Sequence, residues 1–179
     1  MPTHGYGPFR RFLLGSVTAK VLHDVPCPVF TGPHLEHPPA LESPSFGKIL
    51  CALDLHPESR GVLEWASRFA SEFGSEIALV HALPVSTVHM EGIYFDSQWR
   101  TDLATNARKQ IAILEDELGV KGAIHIEIGD VAGAVREAAE AIGADVVVIG
   151  RGRAHGMLGR LRTHAYGIVR ESPCPVVAV

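Results

Sequence analysis

Asp145-Val146-Val147-Val148-Ile149-Gly150-Arg151-Gly152 is the stretch that decides the fold. Its four consecutive apolar residues, three of them valine, favour a strand. Because side chains alternate across a strand, an unbroken apolar run needs cover on both faces, as in the middle of a parallel sheet with helices above and below. The glycines that follow let backbone N–H groups approach a ligand at the strand's C-terminal end.

Outward from this run, short apolar stretches alternate with amphipathic ones. Lys48 to Leu53 is predicted as a first strand, and Leu79 to Leu83 lies in a second. Ile124, Ile126 and Ile128 alternate with His125 and Glu127, which predicts a third strand with one less buried face, near a sheet edge. Val176 to Val179 supplies a fifth. Between them, Val62, Ala66, Phe69, Ala70 and Phe73 form one apolar stripe before Gly74, and Leu103, Ala107, Ile111, Leu114 and Leu118 form another before Gly119. Asp130 is placed to cap a third helix that runs to Ile142 and stops at Gly143; a fourth ends before Pro173. This order is that of βα units around an open parallel sheet, an α/β fold.

The chain also repeats itself. His23-Asp24-Val25-Pro26-Cys27-Pro28-Val29 matches Arg170-Glu171-Ser172-Pro173-Cys174-Pro175-Val176, with Cys27 and Cys174 147 positions apart, the span of one domain. Residues 1–30 therefore read as a truncated copy of the last helix and strand. Residues 31–45 hold Pro33, Pro38, Pro39 and Pro44 and read as an extended linker; residues 46–179 form the complete domain. The strand around Pro28 to Thr31 is expected beside Val176 to Val179, covering an edge that would otherwise invite association.

Composition narrows the function. With 46% hydrophobic and 20% charged residues the chain should fold as a soluble globular protein, and a net charge of −4 gives nucleic acid or an acidic membrane no electrostatic hold. No run approaches the roughly 20 apolar residues that span a bilayer. Three cysteines make no disulfide framework, and the expected compartment is the cytoplasm. The ten histidines show no metal-ligand spacing; His34 and His37 lie in the linker, and His81 is expected to pack. Ser16 and Ser59 have no base beside them, Cys51 lies in an apolar run, and no catalytic residue is assigned; the chain is not read as an enzyme. Trp65 and Trp99 are expected in core or interface, and residues 84–100, with His89, Met90, Tyr94, Phe95 and Trp99, form a long connection suited to a lid or contact surface.

Binding is the better prospect. Open parallel sheets take ligands beyond the C-terminal ends of their strands, where successive connections leave in opposite directions. Asp54 follows the first strand and Gly150-Arg151-Gly152 follows the fourth. The carboxylate can accept from an amino group or a ribose hydroxyl, or it can cap the helix starting near Glu58 or Ser59. Arg151, Arg153, Arg160 and Arg162 can contact phosphate or form a solvated face.

Ile49-Leu50-Cys51-Ala52-Leu53-Asp54, Leu79-Val80-His81-Ala82, Gly129-Asp130, Val146-Val147-Val148-Ile149-Gly150 and Ser172-Pro173-Cys174-Pro175-Val176 resemble successive landmarks of universal stress protein domains. The resemblance covers residues 46–179, and residues 3–30 resemble the end of a second such domain. It implies a five-stranded parallel sheet of order 3-2-1-4-5, adenine nucleotide alpha hydrolase-like, flanked by helices. It also implies a homodimer, or an intramolecular pseudo-dimer, through fifth-strand contact, and an unidentified protein partner. ATP or a related adenine nucleotide, with Mg²⁺ as the only metal, would lie against Ala52, Asp54, Ala82, Ile149, Gly150, Gly152, Arg162, Thr163 and His164. ATP-binding members carry a Gly-x2-Gly-x9-Gly-Ser/Thr loop. Here Gly5, Gly15 and Ser16 preserve its later part in the truncated copy, whereas the complete domain has Gly150 and Gly152 one residue apart and Arg162-Thr163 at the final Gly-Ser/Thr. Weakened or lost nucleotide binding is the expectation, and a nucleotide-independent interaction module is the alternative.

Overall fold

A computed structural model describes residues 16–32, 46–83, 97–151 and 162–179. In chain order the elements are α1 (Ser16–Asp24), β1 (Val29–Thr31), β2 (Lys48–Ala52), α2 (Ser59–Phe73), β3 (Glu76–Leu83), α3 (Ser97–Leu118), β4 (Ala123–Ile128), α4 (Val131–Ile142), β5 (Val146–Ile149), α5 (Arg162–Glu171) and β6 (Val176–Ala178). They form one sheet of order β1-β6-β5-β2-β3-β4. Its last five strands run parallel and have the expected 3-2-1-4-5 order.

The count of five is corrected to six. β1 joins the edge antiparallel to β6, with Val29 opposite Ala178, Phe30 opposite Val177 and Thr31 opposite Val176. An edge strand leaves a row of backbone groups unpaired, and β1 satisfies that row. The pairing follows the sequence repeat. Moved by 147 positions, the end of α1 at Asp24 falls on the end of α5 at Glu171, and the start of β1 on the start of β6. Under the same shift the register becomes that of a strand paired with its own copy about a two-fold axis through Phe30 and Val177.

Two apolar layers hold the sheet. Leu50, Val80, Val147 and Ile149 face α1, α4 and α5 through Leu22, Val135, Ala138, Ile168 and Val169. Ile49, Cys51, Leu79, Val146 and Val148 face α2 and α3 through Leu63, Ala66 and Ile111. All four β5 residues are buried, as their unbroken apolar run requires. β4 is the far edge strand, and most of it is only partly buried.

Helix ends follow the sequence signals. Asp130 accepts from the N–H groups of Ala132 and Gly133 at 3.1 Å each, while Gly74 and Gly143 close α2 and α4 at φ +64°. The α2 stripe departs at its end. Phe73 is 50% exposed and meets Phe46 edge-on at 5.0 Å. Trp65 stacks on Phe69 at 5.1 Å, and Phe46 reaches Phe30 on β1 at 5.9 Å.

Burial raises the thiol of Cys51 to about 12 and that of Cys174 above its ordinary value, while Cys27 is exposed. Only thiolates alkylate quickly, so iodoacetamide at pH 8 is expected to label Cys27 alone in the native protein and all three cysteines after denaturation. Peptide mass spectrometry checks this; native labelling of Cys51 would contradict its burial.

Candidate ligand crevice at the ends of β2 and β5

β2 and β5 are paired neighbours, with Ala52 opposite Ile149. The chain leaving β2 enters α2 on one face of the sheet, and the chain leaving β5 leads to α5 on the other. Two connections that part in this way open a crevice between the strand ends. Asp54 and Gly150 stand at its two sides.

The Asp54 carboxylate is exposed, and one oxygen accepts from the His56 N–H at 3.0 Å and from Ser59 Oγ at 2.7 Å. The side chain thereby ties the strand end to the start of α2, while its second oxygen has no hydrogen-bond partner among the described residues. Leu55, the next residue, has φ +60°, the one non-glycine residue with positive φ among those described. A left-handed leucine costs about 1–2 kcal/mol, and its partly buried side chain on the α2-side core holds it there. That turn aims the chain from β2 to α2 and leaves Asp54 at the mouth.

On the β3 side, the ring Nδ1 of His81 lies 2.8 Å from the Leu53 carbonyl, so Nδ1 carries the proton and His81 buttresses the strand end. This agrees with a packing role. Ala82 lies farther along β3, opposite Glu127 on β4, and is half-buried. Ile149 is buried and Gly150 half-buried. A Cβ on Gly150 would come within 3.0 Å of Val62 Cγ2, so the absence of a side chain lets α2 sit close to the mouth.

Ala52, Asp54, Ala82, Ile149 and Gly150 thus gather at one end of the sheet. Arg162 and Thr163 open α5, which runs antiparallel to the strands and brings them to the same end; His164 follows and is exposed. The side chains of Arg162, Thr163 and Ser16 lie outside the described residues. So do Gly5, Gly15, Gly152, Arg153, Arg160, His34, His37 and residues 84–96, with His89, Met90, Tyr94 and Phe95.

Of the two roles left open for Arg151, the solvated face is not what is found: it is half-buried and bonded within the chain. Its guanidinium donates to the carbonyls of Val25 and Cys27 and, through Nε, to that of Ala178 at 3.3 Å; its own N–H donates to Val179 O at 3.1 Å. It faces the α1–β1 segment instead of the crevice. Tyr166 Oη donates to Ala19 O at 3.2 Å and Thr31 Oγ1 to Val176 O at 3.1 Å, so the segment is fixed along its length. Sequence reading missed these contacts: their acceptors are backbone carbonyls, which every residue carries.

Among the described residues no group of three or more His, Cys, Asp or Glu side chains is gathered as metal ligands would be. No described helix is long and apolar enough to cross a membrane.

Comparison with known proteins places this architecture. The universal stress protein A homolog 1 of Coxiella burnetii is 30% identical over 135 residues, covering 73% of this chain and 94% of that protein. The crystal structure of the functionally unknown protein PA1789 of Pseudomonas aeruginosa PAO1 matches with a TM-score of 0.70 at 20% identity, over 100% of this chain and 61% of that one. The chain therefore spans about three fifths of that longer relative. The structure of the universal stress protein from Archaeoglobus fulgidus in complex with dAMP matches with a TM-score of 0.53 at 19% identity, over 73% of this chain and 95% of that one. The sequence profile of the universal stress protein family matches residues 1–31 and 45–179, and on that match the chain belongs to the universal stress protein family.

Proposed function

We propose that this chain is a stress-response or signalling module that holds ATP or a related adenine nucleotide, with its Mg²⁺, between the ends of β2 and β5, and acts by binding without turnover. The observation that carries the reading is the parting of the two connections around Asp54 and Gly150. Ala52, Ala82 and Ile149 would line the base; Asp54 offers its second oxygen to an amino or hydroxyl group; Gly150, Gly152, Arg162, Thr163 and His164 would lie toward phosphate. The dAMP complex of the Archaeoglobus relative supports an adenine nucleotide.

The N-terminal segment is read as the end of a tandem partner domain, on the 147-residue repeat and the separate family match over residues 1–31. Its strand then stands where a second copy's β6 would pair, making the chain a pseudo-dimer in the cytoplasm that presents its surface to a protein partner. A nucleotide-independent interaction module is the second reading. It is favoured by the loop's departure from the family pattern at Arg162 and by the engagement of Arg151 elsewhere.

Calorimetry decides between them. Mg-ATP is expected to give saturable heat at or below millimolar concentration, weakened about tenfold in Asp54→Ala, the loss of roughly one hydrogen bond to a charged group. No heat at millimolar ATP would remove the nucleotide reading and leave the interaction module.

A further inference from the structure

Arg151 stands at the junction of two features that the chain otherwise keeps apart. Its backbone belongs to the turn leaving β5, one residue beyond Gly150 at the crevice. Its side chain belongs to the docking of α1 and β1, through the carbonyls of Val25 and Cys27. Among the described residues no acidic side chain pairs with it. The guanidinium is thus a half-buried cation whose hydrogen-bond partners among the described residues are backbone carbonyls. A phosphate oxygen carries an opposite charge that a carbonyl dipole lacks and suits the guanidinium fork, so an anion within reach competes for it.

The segment that holds Arg151 is docked by the non-covalent contacts of one helix and one three-residue strand. Leu22 and Val29 enter the α4–α5 side of the core with Val21 and Val25 packed against it, β1 adds a three-residue strand and the Phe30–Phe46 contact, and Tyr166 and Thr31 add hydrogen bonds.

We propose that Arg151 alternates between two sets of partners: the carbonyls of the docked N-terminal segment, and the phosphate oxygens of a ligand in the β2–β5 crevice once that segment lifts. The N-terminal segment is then an intramolecular antagonist of phosphate binding. This rests on the nucleotide reading given above. By linkage the antagonism is mutual: a bound phosphate group loosens the segment by the factor by which the segment weakens the phosphate group.

The full chain tests it with Mg-ATP as the probe. Leu22→Asp puts a charge into the buried contact and lifts the segment; Thr31→Val combined with Tyr166→Phe weakens the same contact by another route. Loss of amide-exchange protection at Val29 and Thr31, whose N–H groups face β6, reports the lifting. Both variants are expected to bind ATP about tenfold more tightly than the parent chain, and adding Arg151→Gln is expected to erase the gain. In the parent chain, saturating ATP is expected to speed exchange in β1. A lifted segment with unchanged ATP affinity overturns the coupling while leaving the nucleotide reading standing. A gain that survives Arg151→Gln overturns the role of Arg151, and so does protection in β1 that neither variant nor ATP alters. Absence of ATP heat from every variant removes the nucleotide reading together with the coupling.

Discussion

Gly122→Ala is expected to lower the stability of the fold by about 3 kcal/mol, which for a chain of this size is roughly 9 °C in Tm. Gly122 sits between α3 and β4, where an added Cβ would fall 2.6 Å from the carbonyl oxygen of Ile77 and 3.2 Å from its carbon. Both atoms belong to the backbone of β3, which is paired on both sides and cannot give way as a flexible side chain could. Glu115 holds the same turn from below: it is 5% exposed, and one of its oxygens accepts the Gly122 N–H at 2.8 Å. The methyl group therefore either compresses β3 or pulls Gly122 from a buried carboxylate, and both cost free energy. Gly61 is the control. It lies in the first turn of α2 with nothing within 4 Å of an added Cβ, so Gly61→Ala is expected to stabilise by about 0.5–1 kcal/mol through helix propensity. Thermal unfolding followed by circular dichroism checks the pair; equal effects would show that Gly122 is not a close-approach site.

Val29→Asp is expected to cost about 3 kcal/mol, roughly 9 °C in Tm, and to make the chain associate more than the parent does as concentration rises. Val29 is 6% exposed and lies with Leu22, Val176 and Val169 in the core between sheet and helices. A carboxylate there either loses its water or expels β1. Expulsion is the cheaper course, and it uncovers the edge of β6. Because the β1–β6 register is that of a strand meeting its own copy, the uncovered edge suits the β6 of a second chain. Sedimentation velocity at several concentrations measures it. A variant that melts with the parent chain and does not associate would show that β1 contributes little and that the edge tolerates exposure.

Much of this fold was legible in the sequence because burial is written as periodicity. The run Val146 to Ile149 required a strand covered on both faces, the isoleucines of β4 required a partly covered edge strand, and Asp130, Gly74 and Gly143 marked helix ends by backbone chemistry that acts within a few residues. Phe73 escaped this logic. It has the spacing of a buried residue, yet it is the last residue of α2 and half-exposed, because what covers a helix end depends on elements elsewhere in the chain.

The candidate crevice was half legible. Asp54 and Gly150 could be placed at strand ends, but their facing one another depends on β2 and β5 being neighbours and on α2 and α5 taking opposite faces. Leu55 gives no local sign of its left-handed backbone, since leucine adopts it only when surrounding contacts hold it.

The sequence by itself determined the alternation of strands and helices, the 147-residue repeat and the residues at the strand ends, because each is encoded by neighbours in the chain. Tertiary structure alone decided what Arg151 does. A long cation takes whichever acceptors lie across space from it, and here those are carbonyls of a segment more than 120 positions earlier, laid beside β6 by the sixth strand.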